Sequence, residues 1–255
     1  MNKVFAYSLF AFGMFLIFYT LLMSESYEIQ TSTIMAFIGL GLTFWGGLFI
    51  YITPSKHVPV ELLNASTTST LATIEKILTE SNLTRKGIYL PPKYLKDFES
   101  SLAFIPFRAY QSLPIGTYEP KLYSGNPNGI FLTPPGTALL KLFEKKLGTT
   151  FTRTDLNFLQ NNLQKLLVED LEIAEKTDIK IDGNIVIIEI TNHVFNEVCQ
   201  ETKKLPRIHE SIGCILSSGI ACALAKVTGT PVIIENEEQS HNGKTMRIHY
   251  RMLEG

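Results

Sequence analysis

The residues of this chain most able to do chemistry are its thiols, Cys199, Cys214 and Cys222, and the imidazoles near them. A thiolate is a nucleophile and a soft metal ligand, and a helix N-terminus or a neighbouring imidazole favours it. His209, Glu210 and Cys214 therefore form the candidate catalytic group, at the start of an apolar run over 209–228. A step of five residues does not bring His209 and Cys214 onto one helix face, which weakens a Cys–His dyad. Glu210 has a simpler use as an acid at a helix N-terminus.

Cys214 and Cys222 share a helix face but stand about 12 Å apart at 1.5 Å of rise per residue. That is too far to bridge or to hold one zinc ion. The simplest reading of all three thiols is as small buried core residues. The chain has no CxxC, HxH or HExxH spacing and no GxGxxG or P-loop pattern. No metal and no cofactor is therefore expected. Ser217-Ser218-Gly219 lacks the strand and the earlier glycine of a nucleophile elbow. Glu235, Glu237 and Glu238, with Arg247 and Arg251, read as cross-strand charge pairs on a solvated sheet face.

The elements that must position these residues begin with two uncharged runs, 4–23 and 33–53. Each matches the roughly 20 residues needed to cross a hydrocarbon core of about 30 Å as a helix. Neither carries the polar stripe of a soluble helix. A signal-peptide reading of 4–23 is weaker, because the run outlasts a typical h-region and a second span follows at once. Residues 1–53 are thus expected to form a transmembrane hairpin, with the lipid bilayer as its partner. No Asp, Glu, Lys, Arg or His lies inside either run, which argues against an ion pathway.

Lys3 precedes the first run, Lys56 and His57 follow the second, and the 24–32 loop holds only Glu25 and Glu28. The positive-inside rule then places both termini in the cytoplasm. Gly39, Thr43 and Gly47 recur every fourth residue on the second helix. Such a stripe suits either self-association or packing against the first helix. Trp45 is expected to pack between helices.

The chain carries 23 basic and 24 acidic residues, a net charge of −1. One base and two acids precede Pro54, leaving 22 of each beyond it. A neutral soluble portion argues against nucleic acid as a partner. Residues 54–64 read as a linker. Residues 65–150 read as a helix over 65–81, short strands within 86–132, and a helix capped by Thr133 with Pro134 at its first position. A helix over 153–171 follows. A hairpin then turns at Asp182-Gly183, ahead of helices over 193–203 and 209–227 and a final strand pair. Segregated strand pairs and helices predict an α+β fold, with antiparallel strands and helices packed on the sheet, and 151–255 as its C-terminal part.

Four segments carry a resemblance: GGLFIYITPSKHVPVELLN (46–64), GIYLPP (87–92), GIFLTPPGTALLKLFEKKLG (129–148) and IGCILSSGIACALAKVTGTPVIIE (212–235). They resemble an archaeal family of uncharacterised two-helix membrane proteins with a soluble C-terminal domain of unknown function. The balanced charge departs from the strongly acidic halophile members. The resemblance implies topology and brings no activity. The reading is a two-pass membrane protein whose cytosolic domain binds a ligand or protein without catalysis. The alternative is a membrane-anchored enzyme with a site near the start of 209–228.

Overall fold

The structure, a computed structural model, describes residues 3–22, 29–52, 60–108, 116–240 and 243–253. It divides into two compact units, Met1–Pro59 and Val60–Gly255. In the first unit, helices α1 (Lys3–Leu22) and α2 (Ile29–Ile52) pack together. α2 starts four residues before the expected 33, because Gln30, Thr31 and Ser32 continue the helix without a break. The helices touch through missing side chains. A Cβ on Gly13 would stand 2.5 Å from the Thr43 amide nitrogen, and one on Gly46 would stand 2.5 Å from that of Phe10. Gly39 lies against Gly13 and Ile17. The Gly39 and Thr43 face is thus filled by α1 of the same chain. Turning Gly46 inward turns its neighbour outward, so Trp45 is exposed rather than packed between helices.

The second unit opens with α3 (Val60–Glu80). Its start precedes the expected 65, so 60–64 of the proposed linker is helical, while 54–59 lies outside the described residues. The strands are β1 (Ile88–Leu90), β2 (Leu102–Pro106), β3 (Tyr123–Gly125), β4 (Asn128–Leu132), β5 (Lys176–Asp182), β6 (Ile185–Thr191), β7 (Val232–Gln239) and β8 (Thr245–Met252). They form one antiparallel eight-stranded sheet in the order β3-β4-β2-β1-β7-β8-β6-β5. The β1–β7 pairing joins strands from 65–150 and 151–255 in this sheet.

The fold is α+β. Alternation sets the sheet's faces. Val186, Ile188 and Ile190 of β6 are buried, with Ile248 and Tyr250 of β8 beside them. On that face lie α4 (Thr137–Leu147), α5 (Leu156–Lys165), α6 (Asn196–Lys203), α7 (Pro206–Ile212) and α8 (Ile215–Thr228), packed into one core with α3. The β1, β2 and β4 end also buries its other face. Leu90, Leu102, Phe104 and Phe131 pack there under Leu95 and Tyr118.

Three helix expectations change. α4 starts at Thr137, with Gly136 as its N-cap, rather than at a Thr133 cap. The Thr133–Gly136 stretch is needed as a turn, since Gly136 abuts the α8 backbone at Gly219. The expected 153–171 helix starts only at Leu156, because Asp155 caps α5 by accepting from the Phe158 amide at 2.7 Å, and it ends in a π-helical turn over Leu166–Asp170. The expected 209–227 helix breaks into α7 and α8 at Gly213, whose backbone is left-handed (φ +65°). Pro206–Thr228 is apolar enough to cross a membrane, yet 83% of that stretch is buried inside the unit. It is the core of the domain.

Candidate functional site

The break between α7 and α8 builds the candidate site. At Gly213 a Cβ would stand 2.5 Å from Ser217 Oγ, so the turn needs glycine for both space and φ. The next residue, Cys214, is extended and becomes the N-cap of α8. Its amide donates to Ser217 Oγ at 2.9 Å. α6 delivers a second thiol. The Cys199 Sγ–H donates to Cys214 Sγ, with the two sulfurs 2.6 Å apart. Both residues are fully buried. The bond to Cys214, and then burial, hold the Cys199 thiol well above its ordinary range, while the Leu216 amide pulls the other way.

β7 adds a carboxylate from the opposite side. Ile234 pairs with Tyr250, yet the next pair is Asn236 with His249, so Glu235 is a bulge. A bulge adds one residue and reverses the alternation beyond it. Glu237 therefore points into the core with Ile234 instead of lying on the solvated face. That corrects the charge-pair expectation for Glu237. On the outer face, Glu235 pairs with Arg251 at 2.8 Å, and Arg247 pairs with Glu189 at 2.6 Å. The Glu237 side chain is 4% exposed, and neither oxygen has a hydrogen-bond partner. His209 Nδ1 lies 3.9 Å from Glu237 Oε1, too long for a hydrogen bond and within reach of an ion pair when the imidazole is protonated.

The cluster's ceiling is aromatic. Tyr250 donates to the Ser217 carbonyl at 3.0 Å, and Tyr89 donates to the Ile212 carbonyl. Burial pushes both phenols well above their usual range, so both remain hydroxyl donors. Of the residues singled out from sequence, the structure places His209 and Cys214 in this region and leaves Glu210 exposed. Cys222 is buried further along α8, its thiol raised by desolvation. Sequence reasoning missed Cys199 and Glu237 as parts of the cluster. No set of His, Cys, Asp and Glu among the described residues could hold a metal ion.

A buried carboxylate without a hydrogen bond is costly, on the order of 1–3 kcal/mol or more when charged. Glu237→Met is therefore expected to raise the melting temperature of the protein, since it removes that penalty at similar length. A lower melting temperature would mean the carboxylate is a satisfied structural group.

Beside this cluster lies an open groove of about 740 Å³. Thr70, Leu71 and Ile74 of α3 form one wall, and Pro134, Pro135 and Ala138 form the other. Ile215, the residue after Cys214, and Lys141 also line it. The walls are mainly apolar, and no ion pair engages Lys141 among the described residues.

A family model described as a domain of unknown function (DUF7982) matches residues 2–252. The chain belongs to that family. No curated protein and no solved structure matches it. Since the DUF7982 match runs from the N-terminal helices to the last strand, the groove and the thiol cluster both lie within the family's domain.

Proposed function

We propose that this DUF7982 protein is a two-pass membrane protein whose α+β domain binds an amphiphile with an anionic head and one acyl-type chain. The groove carries the reading. Its volume lies within the 300–1,000 Å³ typical of small-molecule sites, and its lining is apolar with a single cation. Lys141 is placed to meet a carboxylate or phosphate head while Leu71, Ile74 and Pro135 face the chain. The membrane assignment draws on the apolar outer surface of α1 and α2. Among the described residues, seventeen large exposed apolar side chains lie in these two helices, against five elsewhere. Such a surface suits hydrocarbon as its solvent. The balance of Lys3 against Glu25 and Glu28 supports both termini in the cytoplasm.

The test is photo-crosslinking of the full chain in lipid nanodiscs with a diazirine-bearing fatty acid. Adducts are expected on 70–74 and 132–141. Ala138→Trp fills the groove and should remove at least about nine-tenths of them, and Lys141→Glu should weaken labelling roughly tenfold, the loss of one charge-assisted contact. Label confined to 5–52, or unaffected by Ala138→Trp, would refute groove binding.

A further inference from the structure

The geometry points to Cys199 and Cys214 as a dithiol that a hydroperoxide converts to an intramolecular disulfide, with Glu237 as the proton acceptor. This inference is independent of the groove. Three observations carry it. The two sulfurs are in direct contact, 2.6 Å apart, so no other atom lies between them. The pair crosses elements, α6 to the head of α8, so the bond would tie two helices together through residues fifteen apart in sequence. Glu237 is aimed into the same interior by a bulge and neither of its oxygens makes a hydrogen bond, with His209 Nδ1 3.9 Å from Oε1. A core that needed only small apolar residues would have no use for that carboxylate.

The chemistry balances in two steps. The Cys214 sulfur attacks one oxygen of hydrogen peroxide, the O–O bond breaks, and the departing hydroxide takes the Cys214 thiol proton and leaves as water, giving a sulfenic acid. The Cys199 sulfur then attacks the sulfur of that sulfenic acid. The S–S bond forms and the S–O bond breaks. The Cys199 proton passes through Glu237 to the departing hydroxide, which leaves as a second water. Two thiols lose two electrons in total, and the peroxide gains them. A buried pair is shielded from bulky alkylating agents, whereas hydrogen peroxide is about the size of a water molecule. Cys222 sits in the same helix without a second thiol near it and serves as the internal control.

The experiment exposes the full chain in nanodiscs to hydrogen peroxide. It is then denatured, its free thiols are blocked with a maleimide, and it is analysed by intact mass and peptide mapping. The expected result is one maleimide adduct in place of three, on a chain itself about 2 Da lighter by two hydrogen atoms. A peptide holding Cys199 should be linked to the one holding Cys214, and Cys222 should stay free. Cys222→Ala should behave identically, which assigns the bond. Cys199→Ala should give sulfenic acid on Cys214 and no link. Glu237→Gln, close in size, should slow oxidation by on the order of tenfold or more. Three free thiols after peroxide that fully oxidises a peptide thiol would overturn the proposal, as would oxidation of Cys222 at the same rate. An unchanged rate in Glu237→Gln would overturn the role given to the carboxylate.

Discussion

Gly136→Ala is expected to cost the second unit about 3 kcal/mol, at the upper end of the usual range for overpacking. A Cβ there would stand 1.9 Å from the Gly219 nitrogen, 2.3 Å from its Cα and 2.6 Å from the Ser218 carbonyl carbon. All three are backbone atoms of α8, which is buried almost throughout and cannot swing aside. The turn must move instead, and moving it strains the bond from the Gly136 amide to Ser218 Oγ, 3.1 Å long. For a unit of this size each kcal/mol corresponds to roughly 2–4 °C, so the melting temperature should fall by about 6–12 °C. The same contact is asymmetric. A Cβ on Gly219 meets the Leu139 Cδ2 at 3.1 Å and the Gly136 oxygen at 3.3 Å. Leu139 can give, so Gly219→Ala should cost about 1 kcal/mol. Gly125→Ala, with nothing within 4 Å and no positive φ, should change stability by less than about 0.5 kcal/mol. Equal effects at 136 and 125 would show that the turn does not rest on α8. Because Pro134 and Pro135 of that turn line the groove, Gly136→Ala should also weaken fatty-acid labelling there.

Much of the second unit was legible because its signals are local. The alternation in NIVIIEI is the buried-and-exposed rhythm of β6, and Asp182-Gly183 marks the hairpin, with Gly183 at φ +57°. Gly148 and Gly229 end α4 and α8 in the left-handed conformation that glycine tolerates. The apolar run at 209–227 was legible as buried but not as broken. Gly213 within an apolar stretch reads as a tolerated helix glycine, and only the packing of Ile234 and Glu237 around it demands the turn. β3 carries no such local signal. Tyr123, Ser124 and Gly125 have no apolar alternation, and the strand exists through its pairing with β4.

The site was less legible than the fold, since long-range pairing decides it. His209 and Cys214 were visible as residue types near a helix start. Cys199 lies on another helix, and nothing in its neighbours marks the contact with Cys214. Glu237 was visible as one of three acids in a strand. Strict alternation groups Glu235 with Glu237 and sends both to the same face. One extra residue in β7 separates them, leaving Glu235 on Arg251 and turning Glu237 inward. A bulge has no reliable sequence signature, so a one-residue shift hid the carboxylate. The groove was equally hidden, because its walls come from α3 and from the α4 turn, more than fifty residues apart.

Phe12→Asp combined with Phe15→Asp is expected to abolish membrane integration of the full chain while leaving the α+β unit folded. α1 has 20 residues, about 30 Å at 1.5 Å each, which equals the hydrocarbon thickness with little to spare. Phe12 and Phe15 are on the outer surface, 56% and 61% exposed, where packing against α2 cannot shelter a charge. On the insertion scale each Asp near a helix centre costs about 3 kcal/mol, and each lost Phe removes a few tenths of favourable transfer, so the pair costs roughly 6–8 kcal/mol. Wild-type chain should stay with the membrane pellet through alkaline carbonate and leave it only in detergent. The double variant should appear in the carbonate supernatant or be degraded. Wild-type release by carbonate would overturn the membrane reading itself. The same preparation reports orientation. An impermeant maleimide added to intact cells should label Ser26→Cys and spare Asn184→Cys, which lies on an exposed turn of the domain. Labelling at 184 would place the domain outside and reverse the orientation drawn from Lys3, Glu25 and Glu28. The native thiols do not confuse the reading, as Cys199, Cys214 and Cys222 are all buried.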